Sequence, residues 1–489
     1  MIKPTKEEAK KFLKDYTVVP VYKEIFADIK TSVEILRVFL DQNKQCCLLE
    51  SVENAENWER YSFLGFDPKL TISCQNGELS ISDGKSVKKQ TTDQPFEVLR
   101  EILSQYKSPQ ISSIPPFSGG FVGYFSYECV QYFETSLKLK AQNPEGFDDF
   151  RLMLFDKVIA VDCLKQKIFI IANASLKDLD KSYAEAEQAV LDIEKLIKGS
   201  FSHRAPKSKL SSPFTPLHTE KTFLKMVKKA KDHIFEGDIF QVVISNRLTA
   251  NFEGSLLQTY RILRQSNPSP YMFYLNFGDM EAAGASPETL VTLRNRQLIN
   301  YALAGTCKRG ADFKEDEKLI KALLSDEKER AEHNMLVDLA RNDLGKISEF
   351  GTVKVQEYMK IVKFSHVSHI ASSIVGKMRK NFDQIDALGA VLPAGTLSGA
   401  PKKRACQIID DLEQNKRGVY GGAAGYIDFS GNMDACIAIR MAVLKNGKVY
   451  VQAGAGIVAD SQPKKEFNEC LHKAAAMKNA VEAACREEK

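Results

Sequence analysis

The sequence predicts a mixed fold, α/β or α+β, built on large sheets. Three observations predict it. Short apolar runs of β character recur through residues 1–195, several of them separated by Gly, Asn or Asp turns. After residue 218, segments with helical spacing of apolar residues alternate with strand-like runs. The composition, 44% hydrophobic and 27% charged, is that of an ordinary globular chain with enough length for a large core. Periodicity alone leaves the topology open, and no internal repeat is visible in the sequence.

Taken in order, strands are expected at Cys46–Leu49, Leu70–Cys74, Phe121–Phe125, Leu152–Val161 and Ile168–Ala172. A helix follows from about Asp178 to Lys198, with Tyr183, Ala186, Val190, Ile193 and Ile197 at helical spacing. Residues 199–217 then read as a linker or surface crossing, with three prolines and five serines between Gly199 and Pro216. That divides the chain into regions 1–198 and 218–489. In the second region Thr222–Phe235 reads as a helix and Phe240–Leu248 as a strand. Ser325 is expected to cap a helix whose first turn carries Asp326 and Glu327. A strand at Val449–Ala453 leads into Gly454-Ala455-Gly456, and a helix from Phe467 to Ala484 ends the chain.

Charge and composition exclude several classes. The formal net charge of +5 over 489 residues is too dilute to argue for nucleic acid or a membrane surface as partner. No apolar run approaches the roughly 18 residues of a membrane span. The start, Met1-Ile-Lys-Pro-Thr-Lys, lacks the apolar core of a secretory signal. Ten cysteines without a CxxC pair point to reduced thiols and a cytoplasmic protein, not a disulfide framework or zinc site.

Several constellations can carry chemistry. Glu329 and Glu332 are three apart and share a helix face; Glu466 and Glu469 repeat that spacing. Alone, each pair reads as a solvated acidic face. Converging, they could hold one hard cation such as magnesium, with room left for a substrate oxyanion. Gly454-Ala455-Gly456 after a strand lets backbone approach an anion closely, but it is not a dinucleotide fingerprint. Leu392–Arg404 lacks the Gly-Lys-Ser/Thr ending of a nucleotide loop, so an NTPase is excluded. His366 and His369 would share one side of a helix, and a neutral imidazole suits proton abstraction near pH 7. No glutaminase-like Gly-x-Cys-x-Gly is present.

The pieces recur together and in a fixed order. They are Leu48-Leu-Glu-Ser51 with Arg60-Tyr-Ser-Phe-Leu-Gly65; Gly237-Asp-Ile-Phe-Gln-Val-Val-Ile-Ser245; Asn267-Pro-Ser-Pro-Tyr-Met-Phe273; and Ala285-Ser-Pro-Glu288. Ala304-Gly-Thr306, Glu332–Asp343, Pro393–Pro401, Tyr420-Gly-Gly422 and Gly454-Ala-Gly456 follow. Over roughly residues 45 to 475 the chain resembles the chorismate-utilising enzymes, most closely the members that make anthranilate. The resemblance implies an α+β fold of antiparallel-rich sheets packed as a β-sandwich with helices outside. It also implies a magnesium-dependent reaction of chorismate with ammonia, giving anthranilate and pyruvate in the first committed step of tryptophan biosynthesis. The alternative is another chorismate aminase or an isochorismate-type synthase.

By that resemblance Glu332 and Glu469 would bind the metal, with Glu329 and Glu466 in an outer shell. Glu288 would be the acid that protonates the departing C4 hydroxyl, which requires a raised pKa. His369 would be the base for the elimination. Gly305, Thr306, Tyr420, Arg440, Gly454, Ala455 and Gly456 would bind chorismate, with Arg440 gripping a carboxylate. Gln241 stands where water-using relatives carry a lysine base, and Ala304 where aminodeoxychorismate synthase carries a nucleophilic lysine. Both point to ammonia as the nucleophile. Glu50, Ser51, Pro270, Tyr271 and Met272 would bind L-tryptophan as a feedback inhibitor. A separate glutamine amidotransferase subunit would supply ammonia, making a hetero-oligomer. Cys307-Lys308 replaces the family's usual Arg-Pro, and Phe364 its usual Tyr.

Overall fold

The computed structural model describes residues 1–28, 30–41, 45–51, 60–199, 207–363 and 367–487. Two antiparallel sheets dominate it, one of 14 strands and one of 11 among the described residues. Alternation along each strand explains how they stack. In Lys157–Asp162, Val158 and Ala160 face a cluster shared by both sheets, which includes Phe63, Tyr124, Phe273 and Tyr426. Ile159 and Val161 face the opposite side, against helices such as Ser32–Leu40 and Leu179–Lys198. The 11-stranded sheet does the same, its outer face covered by Pro95–Ser104, Glu327–Gly345 and Gln384–Val391. The result is a sandwich with helices outside, as expected. Each large side chain so buried contributes about 1.5–3 kcal/mol.

An internal repeat, invisible in the sequence, governs the chain path. From the centre of the 14-stranded sheet, one direction runs through Gln45–Glu50, Tyr61–Phe66, Lys157–Asp162, Lys167–Ser175 and Val18–Phe26. The other runs through Tyr271–Phe277, Met280–Ser286, Met441–Lys445, Lys448–Ile457 and Gln241–Glu253, in the same chain order. The second sheet repeats the relation about its central pair, Gly120–Phe125 and Ala423–Asp428. The second half adds a helix pair, Phe313–Ser325 and Glu327–Gly345, and an outer strand, Lys354–Lys363.

The division expected at 199–217 does not separate two sheets, because both halves contribute strands to each. Within it, Lys209–Leu210 and Thr215–Pro216 pair with Gln241–Glu253. The run read as one strand, Leu152–Val161, is two strands in different sheets, broken at Asp156. Asp326, not Ser325, caps the helix Glu327–Gly345; its carboxylate accepts from the Lys328 and Glu329 amides at 2.9 and 3.1 Å, while Ser325 closes the preceding helix. The ten cysteines are free, and no helix among the described residues is long and apolar enough to cross a membrane.

Candidate active site

In the second half two short crossings between the sheets lie side by side. Residues 287–288 join Met280–Ser286 to Thr289–Arg294, and residues 438–440 join Met433–Ile437 to Met441–Lys445. Backbone hydrogen bonds tie the crossings together: Ile437 N–H to the Glu288 carbonyl at 3.0 Å and Ala285 N–H to the Arg440 carbonyl at 3.1 Å. Glu288 and Arg440 are the last residues of these crossings. Arg440 adopts a left-handed φ of 48°, a conformation that this junction imposes on a non-glycine residue. The Glu288 carboxyl accepts from the Thr396 hydroxyl at 3.0 Å. Burial pushes its pKa up to about 7, against the opposing pull of Thr396, Arg440 and Lys473. Desolvation lowers the Arg440 pKa in turn, and Glu288 is the charge that resists it.

His369 faces this pair from the second sheet. It lies opposite Thr306 in the pairing of Gln297–Lys308 with Val367–Lys377, where the register shifts between Ala304 and Thr306. Gly305 forms the irregularity at φ 77°, which favours glycine. The imidazole Nδ1 is 2.9 Å from Thr306 Oγ1 and 3.3 Å from the Gly305 carbonyl. A proton on Nδ1 satisfies that carbonyl and leaves Nε2 as the basic nitrogen. Desolvation and the Arg440 charge depress its pKa, so the ring is neutral at pH 7. The helix expected here is a strand: Ser368 and Ile370 are fully buried on one face, and His369 points to the other. His366 and Phe364 lie outside the described residues.

Glu329 reaches the same spot. Its Oε2 lies 3.3 Å from where a Cβ on Gly305 would stand. Desolvation, then the charges of Glu332 and Asp326, raise its pKa. Desolvation also raises Glu466, with Glu469 adding to it while Lys473 and Lys328 oppose it. Lys328 belongs to the Glu329 helix, so the two helices approach here. All four glutamates do not converge on one point, however. Among the described residues the trio of metal-competent side chains with ligand atoms within 4.8 Å is His233, Glu236 and Asp238, not any three of these. Lys473 pairs with Glu469 at 2.7 Å, and the charges of Lys473 and Lys328 pull on Glu466. Carboxylate oxygens are nevertheless the donors a hard divalent cation takes, so the residues fit magnesium chemically.

The glycine segment is not a turn after a strand. Lys448–Ile457 continues through Gly454 and Gly456, paired with Gln241–Glu253. A Cβ on Gly454 would stand 3.0 Å from the Tyr420 hydroxyl, and one on Gly456 3.0 Å from Gln241 Nε2. Lys473 donates to the Gly454 carbonyl at 3.3 Å. Gln241 Oε1 is buried and has no hydrogen-bond partner among the described residues. The neighbour relations therefore run in a ring: Glu329 to Gly305, His369, Arg440, Glu288, Lys473, Glu469 and back through Lys328.

A model of the chorismate binding enzymes matches residues 44–479. The chain belongs to this family. It is 43% identical to anthranilate synthase component 1 of Acetivibrio thermocellus over 99% of each chain. The crystal structure of anthranilate synthase component I from Streptococcus pneumoniae superposes with a TM-score of 0.77 at 38% identity, covering 86% of this chain and 92% of that one. The menaquinone-specific isochorismate synthase MenF of Escherichia coli shares the fold at a TM-score of 0.69 and 20% identity, covering 97% and 98%.

This chorismate-binding enzyme has a second, larger cavity of about 530 Å³ between the sheets. Glu50, Ser51, Pro270, Tyr271 and Met272, scattered in sequence, all line it. Ser51 Oγ is buried without a hydrogen-bond partner among the described residues. Glu50 differs from expectation: its carboxylate already accepts from Ser32, Ser62, Tyr260 and Arg264 at 2.6, 3.1, 2.5 and 2.9 Å. Tyr271 donates to Asp434 at 2.9 Å and meets Thr289, the neighbour of Glu288, at 3.0 Å. Sequence reading missed Thr396 and Lys473. Lys473 had a signal, since it follows Glu469 by four on one helix face. Thr396 lay within the Pro393–Pro401 motif, but its contact with Glu288 spans 108 residues and left no sign of its own.

Proposed function

We propose that this enzyme aminates chorismate with ammonia and releases pyruvate, giving anthranilate. The reading rests on one arrangement: a carboxylic acid half protonated near neutrality, Glu288, and a neutral imidazole, His369, both within the field of Arg440. Arg440 binds a chorismate carboxylate in bidentate fashion. Glycines at 454 and 456 leave room for the substrate beside Tyr420 and Gln241. Glu288 gives its proton to the C4 hydroxyl as that C–O bond breaks and ammonia bonds to C2. His369 Nε2 then takes the C2 proton as the enolpyruvyl C–O bond breaks, and the ring becomes aromatic. Magnesium held by Glu332 and Glu469, with Glu329 and Glu466 behind them, would neutralise and orient a substrate carboxylate.

Gln241 carries an amide, which cannot activate water as a lysine amine would, and Ala304 has no nucleophile. Ammonia is therefore the nucleophile, delivered by a glutaminase partner subunit. L-tryptophan occupies the larger cavity as inhibitor, its polar end at Ser51 and its indole against Pro270 and Met272. Chorismate, magnesium and ammonium, followed by anthranilate fluorescence with and without tryptophan, test the reading. Isochorismate or aminodeoxychorismate as product would overturn it.

A further inference from the structure

Arg417 is fully buried and touches no cavity described above. It lies between the helix Lys402–Glu413 and the strand Ala423–Asp428. Its guanidinium donates from Nε and Nη2 to the two oxygens of Glu413, at 2.9 and 2.6 Å. It also donates to the Leu397 carbonyl at 2.5 Å and to the Val243 carbonyl at 2.7 Å. Its carbon centre lies 4.6 Å from the Tyr127 ring centroid and 5.9 Å from that of Tyr420. Its own backbone is fixed from the first half: Glu128 accepts from the amides of Arg417 and Gly418 at 2.7 and 3.0 Å.

Three of these contacts, those to Leu397, Val243 and Tyr420, lead to the candidate site. Leu397 closes the 3-10 turn Gly395–Leu397, whose middle residue, Thr396, donates to Glu288. Val243 is two residues from Gln241, and its amide donates to the Ser398 carbonyl at 2.9 Å, fastening the same turn to the strand. Tyr420 reaches Gly454. We propose that Arg417 is a positioning residue of the chorismate site, holding from behind both the turn that presents Thr396 to Glu288 and the ring of Tyr420. A planar fork of donors is needed because the acceptors are both oxygens of one carboxylate and two separate carbonyls; an ammonium group cannot span them. The inference rests on the reading of Thr396 and Tyr420 as parts of the chorismate machinery.

A multiple-mutant cycle on the full chain tests it, with ammonium as nucleophile and kcat/KM for chorismate as readout. Arg417→Lys is expected to fold and to lower kcat/KM by about tenfold, a 1.4 kcal/mol loss of transition-state binding. In the Thr396→Val/Tyr420→Phe background the same substitution is expected to cost less than about twofold, because the two hydroxyls it positions are gone. A residue that only supports the fold would give multiplicative losses, and that outcome overturns the proposal. So does a folded Arg417→Lys enzyme with wild-type kcat/KM. Should Arg417→Lys not fold, Glu413→Gln replaces it in the cycle, since it keeps the shape of the pair and loosens the fork. If Thr396→Val and Tyr420→Phe themselves leave kcat/KM unchanged, the site assignment fails, and the role of Arg417 fails with it. The two failures are thus told apart by the background variants alone.

Discussion

The first half of the chain crosses between the sheets at residues 67–69 and at Asp156; the second half crosses at 287–288 and at 438–440. The residues that end the equivalent crossings have opposite charge. Lys69 stands where Glu288 stands, and Asp156 where Arg440 stands. In the first half they form an ion pair at 3.8 Å beside the Tyr106 ring, around a cleft of about 400 Å³. In the second half burial desolvates the carboxyl, and its pKa climbs to about 7 against the lowering pull of Thr396, Arg440 and Lys473. The same path therefore yields a half-exposed ion pair in one half and a protonatable acid in the other. What differs is the packing around the crossing: the Gly395–Leu397 turn and the inserted Glu327–Gly345 helix bring Thr396 and Glu329 to the site. The first half instead contributes support, through Tyr127 and Glu128 behind Arg417.

The largest expected effect separates the two crossings. Glu288→Gln should lower kcat by roughly 10²–10⁴, the scale of a lost general acid. In the wild type, kcat should fall as pH rises through about 7, because Glu288 acts only when protonated. That basic limb should be missing from the residual activity of the variant. A rate profile flat from pH 6 to 8.5 would break the assignment of Glu288 as the acid.

Next in size is His369→Ala. Loss of the base should lower kcat by about 10²-fold with chorismate affinity retained, and the aminated intermediate should build up in product analysis. Lost affinity with unchanged chemistry would make His369 a binding group instead. His369 was legible in the sequence as a candidate base, but its element was not. Two histidines three apart suit a helix face, whereas the strand shows itself only through buried Ser368 and Ile370, and burial is a tertiary fact. The repeat was hidden for a related reason: what recurs is the order of strands in each sheet, which many apolar sequences satisfy. Asp156 inside an apolar run was a sign of the crossing that the run's length concealed. Residues lining the tryptophan candidate cavity were legible as motifs, while the saturation of Glu50 by Ser32 and Tyr260 was not, because those partners are 18 and 210 residues away.

Ser51→Phe changes the larger cavity, not a crossing. Its hydroxyl has no hydrogen-bond partner among the described residues and stands on the wall of a space of about 530 Å³, ample for one amino acid, so a ring there should intrude on it. Inhibition by tryptophan should weaken by at least tenfold, with kcat within about twofold of wild type. Inhibition curves settle the point, and unchanged inhibition would remove Ser51 from the effector site.

The smallest effect is the most informative about the repeat. Lys69→Ala removes the counterpart of Glu288 in the first half. Its side chain is 51% exposed and its ion pair is long, so stability should change by less than about 0.5 kcal/mol. The turnover rate should not change, since nothing around Lys69 brings a proton donor to a reacting bond. A loss of kcat/KM in a variant that melts like the wild type would mean that the first-half cleft communicates with the second. The route would then run through Val18, which opens the Val18–Phe26 strand, lines that cleft, and packs in the core cluster shared with Leu397 and Tyr420.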